Sequence, residues 1–253
     1  MAESESQNVH EQHQKIWNRY LEVSELAGEL AHEIKNPLSV IRMNMDLLAE
    51  DLEEATSQRE RRGLNKVGIV QAQCKRLQNL LDDFLKYVRV TDLDLKAGNL
   101  NEQIQRVLDF VSLKAQEQKI EVLRYLDADL PSILMDAGRL YAALLNLVLN
   151  AIQAMPHGGT LVVRTRLTPS RVALDLIDDG CGMEQETAIR MFEPFFTTKE
   201  NGSGLGLPTA RRIIEATGGR IAVQSVVGHG TQFTLEFPIP PRLTADECDD
   251  SNH

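Results

Sequence analysis

Apolar residues recur along the first third of the chain in steps of four and three, at Ile16, Tyr20, Val23, Ala27, Leu30 and Ile34. The stripe resumes after Pro37 and Leu38 through Ile41, Met45, Leu48 and Leu52, and such alternation is a coiled-coil seam. A second run passes through Val67, Val70, Cys74, Leu77, Leu81, Phe84 and Val88. Between the runs, Glu53 to Gly63 is charged and ends in glycine, which reads as the connection of a helical hairpin. Two such helices bury little by themselves. A pair of hairpins from two chains closes into a four-helix bundle, so residues 15–90, after a polar segment over 1–14, are expected to dimerise as a homodimer. The plainer alternative is a hairpin packed on its own second domain.

A different pattern follows. Residues 91–99 read as a short polar linker. Asn101 to Gln118 is expected to be a helix with Ile104, Val107, Leu108 and Val111 on one face. Ile120 to Leu126 alternates like a strand, and Asp136 to Met155 is a strongly apolar helix. Leu161 to Leu167 and Val172 to Ile177 form a hairpin turning at Pro169 and Ser170. After a loop from about Glu193 to Ser203, Gly204 to Thr217 is helical. Arg220 to Val227 and Thr231 to Phe237 make a last hairpin around Gly228 to Gly230. Helices mixed with hairpins predict an α/β sandwich with a mixed sheet over residues 100–240. Residues 241–253 form an acidic, disordered tail.

Composition narrows the classes. The 253 residues are 25% charged and 42% hydrophobic, which excludes a collagen, a disulfide scaffold and a wholly disordered chain. The longest apolar stretches, such as Leu144 to Ala154, are too short to span a bilayer, and no signal peptide opens the sequence. A soluble, cytoplasmic protein without membrane insertion is expected. With 37 acidic against 27 basic residues, no nucleic-acid partner is expected. Cys74, Cys181 and Cys248 have no metal or redox spacing and read as free thiols. Eleven of the sixteen glycines fall between Gly158 and Gly230, so a helix-rich first part and a turn-rich second part are expected.

Ala31-His32-Glu33-Ile34-Lys35-Asn36-Pro37-Leu38 carries the first candidate site. With Leu30 and Ile34 on the seam, His32 points away from it, which disfavours a core histidine and leaves a solvated surface histidine as the plain alternative. Pro37 cannot donate its amide and clashes with the carbonyl of Glu33, a cost of about 3 kcal/mol inside a helix. Bearing that cost beside an exposed histidine points to function. A neutral imidazole is a nucleophile, and Glu33 is the available carboxylate, although neighbours about 100° apart on a helix do not face each other by default. The stretch resembles the phospho-acceptor box of bacterial two-component sensor histidine kinases. That resemblance implies that His32 accepts phosphate, that Glu33 is the base and that Asn36 serves the reverse, phosphatase reaction.

Three further motifs follow in order. Asn146 and Asn150 share one face of an apolar helix, where two amides are expensive unless partnered, by the fold or by Mg²⁺ and phosphate. Asp178-Asp179-Gly180-Cys181-Gly182-Met183 stands just past a strand, where it suits a base amino group or is simply a turn. Gly202-Ser203-Gly204-Leu205-Gly206-Leu207 opens a helix and offers N–H groups to phosphate, though glycine-rich turns look alike. With Phe192 to Phe196 and Gly230-Thr231, the series resembles the ATP-binding domain shared by histidine kinases, gyrase, certain chaperones and mismatch-repair ATPases, over roughly Asn99 to Pro238. The resemblance implies ATP and Mg²⁺ as cofactors. It assigns Mg²⁺ to Asn150, within the Asn146 to Ala154 box, the adenine amino group to Asp178, and the two sides of the base to Gly180 and Gly182. Gly202, Gly204 and Gly206, around Leu205, then contact phosphates, Thr231 closes the series, and 193–203 is a lid. Gln153 stands where many members carry Lys or Arg, so Lys199 or Arg190 would meet the phosphate charge.

Together these resemblances imply a dimeric, ATP-dependent protein-histidine kinase that passes phosphate to an aspartate on a response-regulator receiver domain. Phe192 to Lys199 and Asn36 look most like the nitrogen-regulation branch. The rival readings are an ATPase clamp of the gyrase or chaperone kind and a dimeric nucleotide-binding scaffold.

Overall fold

The computed structural model describes residues 31, 33–52, 57–90, 93–199 and 202–240. The polar segment 1–14, the seam from Ile16 to Leu30, His32 and the acidic tail 241–253 lie outside the described residues. The chain divides into two compact units. One holds the described residues up to Arg89 together with Thr197–Leu205; the other holds Val90–Phe196 and 206–240. No helix among the described residues is long and apolar enough to cross a membrane.

The first unit is a helical hairpin. Its first helix, α1, covers 33–51 and passes through Pro37, and its second, α2, runs Gln58–Val88. The hairpin connection is therefore shorter than Glu53 to Gly63, and Gly63 lies within α2. The start is fixed by a capping box: Glu60 N–H donates to Ser57 Oγ, and Ser57 N–H donates to the Glu60 carboxylate at 2.9 Å. Two reciprocal bonds at the first turn outweigh the weak helix propensity of one glycine. Lys35 pairs with Asp82, and Gln71 donates to Asp46 at 2.7 Å. Eleven residues separate Lys35 from Asp46, and eleven separate Gln71 from Asp82, so both contacts report one antiparallel register. Val67 and Cys74 are buried. Ile34, Ile41 and Leu48 on α1, and Val70 and Leu77 on α2, remain 38–50% exposed. Each set steps by seven residues.

The second unit begins with a strand inside the segment read as a linker: β1 is Lys96–Gly98, paired antiparallel with β3, Ile133–Met135. Three-residue strands carry too little alternation to be seen in sequence. The helix α3, Leu100–Glu117, is capped by Asn99, and β2 is Ile120–Tyr125. The apolar helix α4, Ala137–Ala154, is capped by Asp136, which accepts from Arg139 N–H at 3.0 Å. Then come β4, Gly159–Leu167; β5, Arg171–Asp178; α5, Gln185–Arg190; α6, Gly206–Ala216; β6, Arg220–Val226; and β7, Gly230–Pro238. The short α5 interrupts a stretch for which the sequence predicts no element.

The five-stranded sheet has the order β2-β4-β5-β7-β6. Only β2 and β4 pair in parallel, across the connection that contains α4; the other pairs are antiparallel. The expected mixed sheet is therefore found. One face of it packs on α3, α4 and α6 through Leu161, Val163, Val172, Leu174, Phe233 and Leu235. Alternation sends Asp175, between Leu174 and Leu176, to the other face.

Asp175 is fully buried there. Arg164 donates to its carboxylate at 2.8 and 3.1 Å, Arg166 at 3.1 Å, and Thr234 at 2.9 Å. Burial pushes the Asp175 carboxyl up, but the hydrogen bonds from Arg166, Arg164 and Thr234 and the Arg166 charge outweigh it and hold the group below the usual carboxylate range. A depressed acid contributes stability above its unfolded pKa of about 3.9 and loses it as pH falls through the folded value. Replacing both Arg164 and Arg166 by alanine leaves a buried, unpaired carboxylate, and urea denaturation at pH 7 should show a loss of about 3 kcal/mol or more. The gap to wild type should narrow as pH falls toward the lowest value at which wild type stays folded, because the orphaned Asp175 then protonates. Asp175→Asn should cost less, since both arginines are half-exposed and can be rehydrated.

Candidate functional site

The site grows from α4. Its inner face, Leu140, Ala143, Leu144, Leu147, Val148, Ala151 and Ile152, is sealed into the core. Asn146, Asn150 and Gln153 follow at i, i+4 and i+7 on the other side, the two asparagines half-buried and Gln153 exposed. Asn146 Nδ2 donates to Gly206 O at 3.4 Å, at the start of α6. A Cβ on Gly206 would stand 3.6 Å from the Asn146 amide. At its C-terminal end, α4 offers Ala154 O to the Cys181 N–H at 3.0 Å. One rigid helix thus ties the α6 terminus to the loop after β5.

That loop begins at Asp178, the last residue of β5, which is 4% exposed. Gly180 N–H donates to Asp178 Oδ1 at 3.0 Å, and the Thr231 backbone N–H also bonds the carboxylate. Burial pushes the Asp178 carboxyl up, the two backbone N–H groups pull it partly back, and the charge of Asp179 adds to the rise. Asp179 plays a different part, since its carboxylate accepts from Thr160 N–H at 2.8 Å and fixes the loop to β4. A buried acceptor beside glycine backbone is suited to a flat heterocycle with an exocyclic amino group. A Cβ at Gly180 would lie 2.6 Å from Ala154 O, so side-chain bulk is excluded there by the α4 terminus itself.

The remaining candidates are distributed as follows. Thr231 is buried and stands directly opposite Asp178 in the β5–β7 register. Glu33 and Asn36 are exposed on α1. Lys199, Gly202, Gly204 and Leu205 fall in 197–205, grouped with the helical unit. There Lys199 is exposed, Gly202 N–H donates to Lys199 O at 3.2 Å, and Leu205 N–H donates to Ser203 Oγ at 3.4 Å. Arg190 ion-pairs with Glu186 at 3.4 Å and Glu193 at 3.2 Å and sits 4.3 Å from the Phe196 ring centroid. Its charge is therefore already engaged. Phe192 is half-buried under Arg211 and Phe195 is exposed at φ +66°, so these aromatics do not form a common core.

Sequence reasoning passed over Asp179 and Ser225. Ser225 Oγ accepts from Met183 N–H at 2.8 Å, at the far end of the same loop. Its signal was available, because a hairpin turning at Gly228 places residue 225 opposite 231. Among the described residues no group of three or more His, Cys, Asp or Glu could hold a metal ion. Asn150 is half-buried on α4, and its amide oxygen is a hard donor of the kind that a cation held largely by phosphate oxygens, such as Mg²⁺, would take.

Two glycines give a sharp contrast. At Gly182, φ is +66° and a Cβ would fall 2.1 Å from Val226 O; at Gly228, φ is +76° and a Cβ meets nothing within 4 Å. Gly228→Ala should cost about 1 kcal/mol from backbone strain alone. Gly182→Ala should cost clearly more and displace the loop, a difference that parallel urea titrations will show.

Residues 135–241 match the family described as histidine kinase-, DNA gyrase B-, and HSP90-like ATPase, and residues 22–93 match the His Kinase A (phospho-acceptor) domain. Sensor histidine kinase ZraS of Salmonella typhi is 36% identical over 218 residues, 86% of this chain and 46% of that protein. The chain thus spans less than half the length of this curated relative. Among solved structures, full-length ShkA in complex with AMPPNP has a TM-score of 0.67 at 29% identity, over 85% of this chain and 46% of that one. The catalytic domain of histidine kinase ThkA matches at 31% identity and TM-score 0.54, over 58% of this chain and 97% of that one. ThkA in complex with response regulator protein TrrA gives 27% and 0.61, over 87% and 63%. With residues 22–93 matching the phospho-acceptor domain, residues 135–241 matching the ATPase family, and a histidine kinase catalytic domain 31% identical over 97% of its length, the chain belongs to the histidine kinase family.

Proposed function

We propose that this chain is the cytoplasmic catalytic core of a sensor histidine kinase, phosphorylating itself on His32 from ATP and Mg²⁺ and passing the group to an aspartate on a response-regulator receiver domain. The observation that carries the ATP half is the buried Asp178 carboxylate, held by the Gly180 and Thr231 backbone beside two glycines, 180 and 182, at which no side chain fits. Asp178 accepts from the adenine amino group, Gly180 and Gly182 bring backbone to the ring, and Gly204 and Gly206 supply N–H groups to the phosphates, joined by those of Gly202 and Leu205 when phosphate oxygens replace Lys199 O and Ser203 Oγ as their acceptors. Mg²⁺ when bound neutralises phosphate charge, with Asn150 giving it an amide oxygen, Asn146 supporting the α6 start, and Lys199 supplying a cation in place of the one missing at Gln153.

His32 supplies the nucleophilic imidazole nitrogen, the bond from the γ-phosphorus to the bridging oxygen breaks with ADP as leaving group as the N–P bond forms, Glu33 takes the ring proton, and Asn36 orients water for the reverse reaction. Positioning and charge stabilisation dominate such transfers, so the chain contributes little covalent chemistry beyond the histidine. Phe192 to Lys199 with Asn36 supports a place in the nitrogen-regulation branch. The functional unit is a homodimer: Ile34, Ile41, Leu48, Val70 and Leu77 repeat every seven residues and stay uncovered within one chain, as a bundle seam awaiting a partner would.

Incubation with γ-labelled ATP and Mg²⁺ tests the reading. Wild type should carry an acid-labile, alkali-stable label that His32→Gln lacks and that a chelator prevents; ATP bound by both proteins with label on neither would overturn it. For the seam, Ile41→Glu should convert a dimer to a monomer in light scattering, with helicity retained.

A further inference from the structure

Three strands carry one polar row at the site end of the sheet. Asp178 on β5 pairs with Thr231 on β7, and Thr231 pairs with Ser225 on β6, so the three side chains share one face of the sheet. Ser225 Oγ has three partners: Met183 N–H at 2.8 Å, Gly230 O at 3.1 Å and Thr231 Oγ1 at 2.9 Å. A hydroxyl has one proton and two lone pairs. Gly230 O can only accept and Met183 N–H can only donate, so all three contacts are satisfied when Ser225 donates to Gly230 O and Thr231 donates to Ser225.

The 178–183 loop is thereby held by the β6–β7 hairpin at three points. Its first residue, Asp178, takes the Thr231 N–H; its middle, Cys181 O, takes the Gly228 N–H at 2.8 Å; its last, Met183 N–H, goes to Ser225. The first two fastenings are backbone donors, fixed by the chain itself. The third ends on the Ser225 side chain, which, unlike the Asp178 carboxylate of the first, can be removed without touching the group that would meet the base.

We infer that Ser225 is a positioning residue for the adenine nucleotide: its hydroxyl sets the distance of Gly182 and Met183 from the base while bonding the Thr231 hydroxyl beside the Asp178 carboxylate. Ser225 acts through Met183 and Thr231. The inference rests on the nucleotide reading above, and wild-type binding of ADP is the control that separates the two.

Calorimetric titration of the full chain with ADP and Mg²⁺ tests it, alongside hydrogen exchange at the Met183 amide. Ser225→Ala should bind ADP about tenfold more weakly, as the loss of a bond or two of ordinary strength gives. Its Met183 amide should exchange faster, and Ser225→Thr should restore both readings. Ser225→Cys, near-isosteric with a weak acceptor, should repeat the alanine result and stands in for it if the alanine variant does not fold. If wild type binds ADP and both the alanine and cysteine variants bind equally well, or if only the melting temperature moves, the positioning role is wrong. If wild type fails to bind ADP, the nucleotide reading itself fails.

Discussion

A carboxylate that ends a central strand and sees almost no water is the constraint around which the ATPase unit is arranged. Ionised Asp178 is tolerable in that position only because backbone N–H groups from Gly180 and Thr231 point at it. Those two donors come from different places, a loop that must double back within two residues and a strand paired in register. Glycine stands at 180 because a Cβ there would lie 2.6 Å from Ala154 O and 2.8 Å from the Asp178 carboxylate itself. The strand donor requires β7 to lie beside β5, which in turn brings β6 and Ser225 to the loop's far end.

The helix α4 meets the same constraint from the other side. Its sealed inner face fixes it on the sheet, so its outer amides and its last carbonyl are placed without adjustable parts. Asn146 then holds the start of α6, and Ala154 O holds Cys181. The opposite face of the sheet has its own buried charge, Asp175, but there two arginines and a threonine surround it and no loop follows. Two aspartates three residues apart on one strand therefore differ in kind: one is saturated by cations, the other by backbone alone, and only the second keeps an environment suited to an incoming amino group.

Much of this was legible in the sequence where a long period and a chemical boundary agreed. The apolar stripe of α4 lies between Asp136, a capping residue, and Met155, and the expected bounds differ from the observed ones by a single residue at each end. The two hairpins followed from alternation on either side of turn residues. What was not legible depended on tertiary register or on very short elements. The strands β1 and β3 gain their identity only from each other, and α5 has six residues. The stretch from Glu53 to Gly63 reads as a connection because it is charged and ends in glycine, whereas the capping box at Ser57 starts α2 ahead of that glycine. Asp178, Gly180 and Gly182 read equally as a turn by themselves and stand out only through the order of the motifs around them. Ser225 is an ordinary strand serine until its cross-strand partner is known.

Discrimination between adenine and hypoxanthine nucleotides is the most direct test of the account, because the two rings differ in the group that would face Asp178. Titrating the chain with ADP and with IDP, in Mg²⁺ at pH 7, compares a ring that donates to the carboxylate with one that presents a carbonyl oxygen to it. Losing a hydrogen bond to a charged group is worth about 1.5–3 kcal/mol, so ADP should bind at least about tenfold more tightly, and Asp178→Asn should erase most of that preference. Equal affinities for the two nucleotides in wild type would contradict the assignment of Asp178 as the reader of the base.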